Sequence, residues 1–369
     1  MPLSRLVSWT RRPRHRVNRP NPSPLRLEPL EDRALMSGVY AVGPSPINYG
    51  QMGLSSVIRY DSTTAAVLPP SFVPYGDANF RGEIRIAVGD VTGDATLDTV
   101  TIAGPFGSPH VRVFDGGAGN ALVAEWNAYA PNLAAGSYVA IGNVDGVGKA
   151  EVITAYGSTS SVSSIKVWDA SGGTPATPVY PTTPLFEFFS GFVGNRIAAG
   201  DFNQDGKAEI VAGTVGGTPA VKVYDVSTPA TPVVIKQYAA PFVQGGQGTN
   251  IAGGDINGDG FKDLVISSAI SQSNGGSRVK VFAGMAGGLT DTVLKDFVPY
   301  SGYSSRITLA TTDADGDGKA DIITGAVHNS DVRIYSGAGV ALVPPAIRQQ
   351  FPYGLGAGRG VWVGGDGNL

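Results

Sequence analysis

The sequence predicts an all-β fold, a six-bladed β-propeller with four-stranded blades. Its 369 residues include 52 Gly and 26 Pro but only 15% charged residues. That composition favours short strands joined by tight turns over long solvated helices. After residue 38 an acidic loop recurs, and its first positions are 53, 58, 54, 58 and 53 residues apart. This spacing is close to the length of one propeller blade.

Residues 1–38 form a separate basic leader, and residues 39–369 form the predicted propeller. The leader holds eight Arg against three acids and lacks hydrophobic periodicity, so we expect it to be disordered. No apolar stretch follows Arg16, which argues against an ordinary secretory signal and a twin-arginine signal. Residues 27–33, LEPLEDR, resemble the leader motif of planctomycete-type extracellular proteins, which implies a secreted or cell-surface protein. The alternatives are a plain disordered tail or a wrongly assigned start.

Five acidic loops share a nine-residue pattern in which positions 1, 3, 5 and 9 mostly carry side-chain oxygens. They begin at Asp90, Asn143, Asp201, Asp255 and Asp313, and a sixth begins at Asp366 and stops at the chain end. Ca²⁺ prefers six to eight hard oxygen ligands, and alternate side chains of a tight loop can point inward together. We therefore expect four to five bound Ca²⁺ ions, with position 7 contributing its backbone carbonyl. The candidate ligands are Asp90, Thr92, Asp94, Thr96 and Asp98; Asn143, Asp145, Lys149 and Glu151; Asp201, Asn203, Asp205, Lys207 and Glu209; Asp255, Asn257, Asp259, Phe261 and Asp263; and Asp313, Asp315, Asp317, Lys319 and Asp321.

The five loops differ in the ligands that they offer. The loop at Asp313 has four carboxylates, and we expect it to bind Ca²⁺ most tightly. The first loop has Thr92 at position 3 and Ala95 where Gly is usual, so we expect intermediate affinity. The second loop has the apolar Val147 at position 5, and it is either a weak site or a vestigial turn. An EF-hand is not indicated, because that site needs flanking helices and a bidentate Glu at position 12.

Each repeat is interpreted as four strands. The first precedes the loop, as at 84–88, and the second follows it, as at 99–103. The third alternates apolar and polar residues, as at 111–115, which is the period of a half-buried strand. The fourth is an aromatic run, as at 72–75, 126–129, 297–300 and 351–353.

The chain ends carry complementary parts of one further repeat. Between the leader and residue 84 the chain supplies strands of the second, third and fourth type, whereas the C-terminus supplies one first-type strand at 361–363. We therefore predict that this last strand pairs with the N-terminal three and closes the ring. Closure would remove the two exposed sheet edges of an open array.

Three segments accompany the acidic loops: TIAGPFG at 101–107, GSPHVRVFD at 107–115 and FVPY at 297–300. With these segments, residues 39–369 resemble FG-GAP/VCBS repeat proteins, relatives of the integrin alpha-chain propeller. The resemblance implies calcium binding and extracellular adhesion or ligand recognition.

Composition limits the partners. Beyond the leader, 19 Lys and Arg stand against 27 Asp and Glu, which argues against nucleic acid as a partner. The absence of Cys excludes disulfides and thiolate metal sites, and no apolar run is long enough for a transmembrane helix. We expect a monomer whose partner is an extracellular protein or glycan.

A catalytic site should break the repeat symmetry, and only three His are available for one. His15 lies in the leader, His110 at a strand edge where a surface or packing role is favoured, and His328 in a loop. The Gly-rich stretches 104–108, 213–217 and 274–277 lack the context of a phosphate loop and are interpreted as hairpin connections. We expect no enzyme, and a polysaccharide lyase or hydrolase is the less favoured alternative.

A carbohydrate-binding lectin is the second alternative. Trp126, Trp168 and Trp362 are able to stack on sugar rings. Their positions coincide with aromatic core positions of neighbouring repeats, so we favour core packing.

Overall fold

The computed structural model describes a large part of the predicted propeller. The described residues are 38–46, 56–76, 80, 82–105, 107–132, 136–156, 164–173, 177–179, 195–228, 231–239, 241–242, 248–268, 276–303, 305–339, 346–354 and 359–367. The LEPLEDR motif and His15 lie outside them. No helix among the described residues is long and apolar enough to cross a membrane.

The described residues form 24 strands and six antiparallel sheets of four strands each. The strands are β1 (Val39–Pro46), β2 (Val57–Asp61), β3 (Val67–Phe72), β4 (Ile84–Gly89), β5 (Asp98–Ala103), β6 (His110–Asp115), β7 (Ala121–Asn127), β8 (Ser137–Gly142), β9 (Glu151–Tyr156), β10 (Ile165–Asp169), β11 (Thr177–Pro178), β12 (Asn195–Gly200), β13 (Glu209–Thr214), β14 (Ala220–Asp225), β15 (Val233–Ala239), β16 (Thr249–Gly254), β17 (Asp263–Ser268), β18 (Val279–Met285), β19 (Gly288–Phe297), β20 (Ile307–Thr312), β21 (Asp321–Ala326), β22 (Val332–Tyr335), β23 (Ala346–Gln350) and β24 (Arg359–Gly365). Five sheets use four consecutive strands, and the sixth has the order β24-β1-β2-β3. The prediction of six four-stranded blades is confirmed.

The innermost strands of the blades surround a central axis. They are β4, β8, β12, β16, β20 and β24, and each contacts the innermost strands of its two neighbouring blades. These strands are rich in Ala, Gly, Ile and Val because strands that converge on an axis leave little room for large side chains. The contacts run through all six strands without a break, so the blades form a closed ring.

The ring is closed by the two chain ends, as predicted. β24 pairs antiparallel with β1, with Val42 opposite Val363 and Gly43 opposite Trp362. The Val39 N–H also donates to Asp366 Oδ2 at 3.1 Å, although these residues are 327 positions apart. In the blade that joins the chain ends, the inner edge of β1 is therefore paired with β24.

The position of the fourth strand was predicted wrongly. The outermost strands β3, β7, β19 and β23 precede the aromatic runs, which only begin at the strand ends and continue into the turn to the next blade. The last aromatic residue of the run is a Tyr that bonds to that next blade. Tyr300 Oη donates to Thr324 O at 2.9 Å and to Asp331 O at 3.0 Å. Tyr75, Tyr129 and Tyr353 make equivalent bonds. An aromatic body with a polar tip suits this position, because it fills the gap between blades and satisfies their carbonyls.

The aromatic core lies between blades. Trp126 and Trp168 pack with ring centroids 5.7 Å apart, and Trp362 meets Tyr138 edge-on at 6.1 Å. The three Trp are only 7%, 8% and 9% exposed. The expectation of core packing is confirmed, and these side chains are not available for stacking on a sugar.

Two of the Gly-rich stretches join strands as predicted. The described residues of 104–108 lie between β5 and β6, and residues 213–217 lie at the connection from β13 to β14. The third stretch, 274–277, precedes β18 and lies partly outside the described residues. The described parts are therefore connections between the second and third strands of a blade.

Candidate metal centres

The five acidic loops lie on one face of the propeller. Each joins the innermost strand of a blade to the second strand, as between β16 and β17. Because the innermost strands run in the same direction along the axis, all five connections are at the same end of the ring. We call this end the loop face.

The side chain at position 1 shapes each loop. Asp255 Oδ1 accepts the N–H groups of Gly258 at 2.7 Å and Asp259 at 3.1 Å, and Oδ2 accepts that of Gly260 at 2.8 Å. Asp313 accepts from Gly316 and Gly318 in the same way. Asp and Asn favour such turns because their short side chains reach the backbone of the following residues. Gly260 has φ of 88°, a conformation that explains why Gly is usual at position 6.

The acid at position 9 is buried at the base of each loop. Asp263 Oδ2 accepts the N–H groups of Ile256 at 3.0 Å and Asn257 at 3.3 Å, whereas Oδ1 accepts the N–H of Gly284 at 2.8 Å. Burial raises the pKa of Asp263 to about 7, and the nearby charge of Asp259 acts in the same direction. The position-9 acid thus links the loop to the end of the third strand.

The loop at Asp313 brings three carboxylates together. Oxygens of Asp313, Asp315 and Asp317 all lie within 4.8 Å of one another, the one group of three acids with this geometry in the described part of the chain. Burial raises the pKa of Asp315, and the charges of Asp317 and Asp313 add to that shift. Burial raises the pKa of Asp321 to about 7, and the charges of Asp315 and Asp317 act in the same direction. Such crowding of like charges fits a divalent cation with oxygen ligands.

The third and fourth loops gather their candidate ligands around an Asn. Asn257 Nδ2 donates to Asp259 Oδ2 at 2.8 Å. Asn203 Nδ2 donates to Asp205 Oδ2 at 3.3 Å and to Glu209 Oε1 at 2.8 Å. In the third loop, positions 3, 5 and 9 therefore converge, with an amide NH₂ between two carboxylates where a cation would also be stabilised.

The first loop has Thr at positions 3 and 7. Thr96 Oγ1 donates to Asp94 Oδ1 at 2.5 Å. Burial raises the pKa of Asp98, and hydrogen bonds from the backbone N–H groups of Gly116, Val91 and Thr92 oppose this shift. Asp90 accepts the N–H of Ala95, which takes a positive φ of 65° in place of Gly. The loop keeps its shape despite both substitutions.

The second loop lacks a ligand at position 5. Val147 is 71% exposed, and Asn143 Oδ1 holds the turn by accepting the N–H of Gly146 at 2.8 Å. Burial raises the pKa of Glu151 to about 7, and the charge of Asp145 adds to the shift. The fold of this loop is therefore retained with fewer carboxylates.

Position 7 has a further role that the sequence did not indicate. Lys149, Lys207 and Lys319 pack their side chains against the position-4 Gly of the preceding loop. Lys149 Nζ also lies 3.2 Å from Asp169 Oδ1. These side chains therefore connect adjacent loops, while Thr96 and Phe261 take position 7 in the other two loops.

Backbone hydrogen bonds also connect neighbouring loops. The N–H at position 8 donates to the position-1 carbonyl of the preceding loop, as Ala150 to Asp90 at 3.0 Å, Ala208 to Asn143 at 2.6 Å and Ala320 to Asp255 at 2.8 Å. In the blade of the chain ends, Ser62 Oγ donates to Asp313 O at 2.7 Å. The recurring Ala at position 8 was the available sequence signal, because a small residue permits this close approach.

Two family models match the chain, the FG-GAP-like repeat over residues 255–324 and the FG-GAP repeat over residues 193–224. Both segments contain an acidic loop between the first two strands of a blade. This chain is a β-propeller with FG-GAP repeats at residues 193–224 and 255–324. The resemblance expected from the sequence is therefore confirmed for the propeller.

Solved structures with a similar fold have very different sequences. A lectin from Agrocybe aegerita that recognises non-reducing terminal N-acetylglucosamine is 14% identical, with 88% of this chain and 95% of that chain covered and a TM-score of 0.47. A periplasmic gluconolactonase from Pseudomonas aeruginosa is 15% identical, with 86% and 84% covered and a TM-score of 0.49. No curated protein matches the chain. A shared ligand or activity does not follow from likenesses at this level.

The FG-GAP propeller contains a cavity of about 220 Å³ along its axis. Its walls are the apolar side chains of the innermost strands, and it reaches the loop face beside Asp201, Lys262 and Asp366. Lys262 Nζ donates to Gly367 O at 3.2 Å. Burial lowers the pKa of Lys262, and the surrounding acids oppose that shift. Sequence reasoning missed this Lys, which stands at position 8 where three other loops have Ala.

The two described His side chains have separate environments in the FG-GAP propeller. His110 Nε2 lies 3.3 Å from Glu125 Oε2, and its carbonyl accepts the Tyr75 hydroxyl. His328 Nδ1 lies 2.6 Å from Ser305 Oγ. The packing role expected for His110 agrees with these contacts.

Proposed function

We propose that this FG-GAP propeller is a secreted or cell-surface calcium-binding module that recognises an extracellular protein or glycan and catalyses no reaction. The convergence of three carboxylates in the loop at Asp313 carries the calcium proposal. The same loop architecture in four other blades supports it, because position 1 and position 9 make equivalent bonds in each.

The donor set favours Ca²⁺ over other common metals. The loops offer carboxylate, amide and hydroxyl oxygens, which are the hard ligands of Ca²⁺, whereas Zn²⁺ sites are built mainly from Cys and His. Mg²⁺ requires a near-ideal octahedron and releases its waters reluctantly, so loops that differ in ligand number suit it less well. We expect four to five ions, with the second loop the weakest site.

Bound Ca²⁺ would supply charge that offsets the repulsion among loop carboxylates. Because adjacent loops are joined by hydrogen bonds between positions 8 and 1, stabilising one loop also stabilises its neighbour. A ligand that binds only the folded state raises its stability in proportion to the logarithm of ligand concentration. Calcium is therefore expected to raise the melting temperature of the whole ring.

Calorimetric melting in calcium and in chelator tests this proposal. We expect calcium to raise the melting temperature of the natural protein and the Asp317→Asn variant to show a smaller rise. Asp291→Asn is the matched control, because Asp291 is 81% exposed and forms a surface pair with Lys236 far from the loops. A melting temperature that is the same in calcium and chelator would contradict the calcium proposal.

The recognition role is supported by the family resemblance and by the LEPLEDR leader motif. The cellular location of the protein is tested by fractionating the source cells and detecting the chain in the medium or on the cell surface. Its ligand is tested by a glycan array together with a screen of extracellular proteins. Binding to a glycan would have to use groups other than the three buried Trp. Turnover of a polysaccharide by the purified chain would contradict the non-catalytic role.

A further inference from the structure

A ring of polar side chains surrounds the axis toward the end remote from the loop face. Its members stand five positions before each acidic loop, and we call them the axial ring: Arg85, Tyr138, Arg196, Asn250 and Thr308. Four of them donate to a carbonyl of the next innermost strand. These bonds are Arg85 Nη1 to Ser137 O at 2.9 Å, Arg196 Nη1 to Thr249 O at 2.6 Å, Asn250 Nδ2 to Ile307 O, and Thr308 Oγ1 to Val361 O at 3.2 Å.

The positive charges of the axial ring exceed its negative charges. Arg85 Nε pairs with Glu83 Oε1 at 2.6 Å, and its Cζ lies 3.6 Å from the centre of the Tyr138 ring. Arg196 is only 3% exposed and has no carboxylate partner among the described residues. Its Nε has no hydrogen-bond partner. One guanidinium is thus neutralised, and another is buried without a counter-charge.

Arg306 adds a third guanidinium beside this ring. It is half-buried and makes no side-chain hydrogen bond or ion pair with the described residues. It stands two residues before Thr308 of the axial ring, directly before β20, and its charge influences the pKa of Glu83, Tyr138 and Arg196. Because Arg306 is partly exposed, it marks the side from which solvent reaches the ring.

A buried guanidinium without a counter-charge is costly, and the planar fork of Arg matches the oxygens of a carboxylate or sulfate. Tyr138 lies beside Arg196, whose Cζ is 5.8 Å from the centre of the Tyr138 ring, so the Tyr138 hydroxyl and this guanidinium are able to contact the same anion. These conditions select a small oxyanion.

We propose that the axial ring binds a carboxylate or sulfate group between Arg196, Arg306 and the Tyr138 hydroxyl. The proposal rests on the recognition function and deepens it by naming the ligand class, a small acid such as a uronic acid or a sulfated sugar. Arg85 is excluded from direct binding because Glu83 already neutralises it. The site is separate from the acidic loops, which lie at the opposite ends of the innermost strands.

Isothermal titration of the full chain tests the proposal, with sodium acetate, sodium sulfate, galacturonate and neutral galactose as probes at constant ionic strength. We expect the anions but not galactose to bind, and stronger binding of galacturonate than acetate would identify a sugar acid as the source of the carboxylate. Arg196→Gln keeps a donor for Thr249 O but removes the charge, and Arg306→Gln removes the second charge. Each should weaken binding by about tenfold or more, because each substitution removes a charge-assisted hydrogen bond to the anion.

Arg278→Gln is the matched control, because Arg278 is exposed and pairs with Asp296 away from the axis. It should bind the anions like the natural protein. Absence of anion binding by the natural protein, or equal affinity in Arg196→Gln, would overturn the proposal. So would an ultraviolet spectrum of ionised Tyr at neutral pH that Tyr138→Phe abolishes, because the phenolate would then be the counter-charge. Anion binding that persists while calcium leaves the melting temperature unchanged would overturn the calcium proposal alone.

Discussion

The five acidic loops fall into two classes that differ at position 9. Three loops end in Asp, at Asp98, Asp263 and Asp321, and two end in Glu, at Glu151 and Glu209. In each Asp loop, Oδ1 accepts the N–H of the Gly that follows the core of the third strand. These bonds are Asp98 to Gly116 at 3.1 Å, Asp263 to Gly284 at 2.8 Å and Asp321 to Gly337 at 2.7 Å. In the Glu loops the corresponding residues are Ala170 and Val226.

Backbone contact explains the difference. A Cβ on Gly116, Gly284 or Gly337 would lie 2.1 to 2.2 Å from the carbonyl oxygen at position 8 of the loop. The two backbones therefore touch in the Asp loops, and a short side chain bridges them. Where Ala or Val supplies a Cβ, this approach is impossible, and Glu209 instead places its second oxygen on Asn203 Nδ2. The length of the acid is thus matched to the third strand as well as to the loop.

Gly284→Ala should have the largest effect on this match. Its Cβ would lie 2.2 Å from Lys262 O, so the strand and loop must separate. We expect a loss of about 3 kcal/mol in the free energy of unfolding, measured by denaturant titration in calcium. Gly216→Ala is the control, because no atom lies within 4 Å of its added Cβ. Equal stability of the two variants would break the comparison.

Asp263→Glu should cause the second-largest loss of stability, because it places a longer side chain between two backbones that are already in contact. We expect a loss of about 2 kcal/mol from overpacking. The double variant with Gly284→Ala should lose less than the sum of the two single variants, since the longer acid suits the wider gap. Strict additivity in a double-mutant cycle would show that the two positions are independent.

Glu209→Asp shortens the acid in the other class. Glu209 Oε2 accepts the N–H groups of Phe202 at 2.7 Å and Asn203 at 3.2 Å, and an Asp there no longer reaches both. We expect a loss of about 1 to 2 kcal/mol, measured by the same titration. Glu209→Asp keeps the charge and shortens the side chain. Glu209→Gln is the complementary control, because it keeps the side-chain length and removes the charge. A Glu209→Asp variant as stable as the natural protein would mean that length is not selected in this loop.

Val147→Asp should have the smallest effect on stability, and it should increase calcium binding by the second loop. Val147 is 71% exposed, so we expect a change below about 0.5 kcal/mol in chelator. The variant restores a carboxylate at position 5 of the second loop, and calcium titration should show a gain in affinity or one additional ion. Val147→Ala is the control. No change in calcium binding would indicate that this loop is limited by Asn143 rather than by position 5.

The sequence predicted the repeat architecture because every blade must bury the same faces, and the repeated strands make that pattern visible. It also predicted the closure, since the incomplete repeats at the two ends are complementary. The aromatic runs were misinterpreted as strands because alternating aromatic and small residues fit a strand and an inter-blade turn equally well. The pairing of Asp263 with Gly284 and the axial ring involve residues that are distant in sequence, so only the coordinates reveal them. Positions 3, 5 and 9 lie together in the third loop, and both the ligand set and the bound calcium stay predictions.

The bond between Val39 and Asp366, 327 residues apart, has a consequence for biosynthesis. A ribosome delivers β1 before the other described strands and β24 after them, so the inner edge of β1 stays unpaired until β24 has emerged. During that interval, an identical strand from another nascent copy is able to occupy the same edge. Fast completion, or a chaperone that shields β1, would therefore decide whether the product is a single ring or a strand-exchanged aggregate.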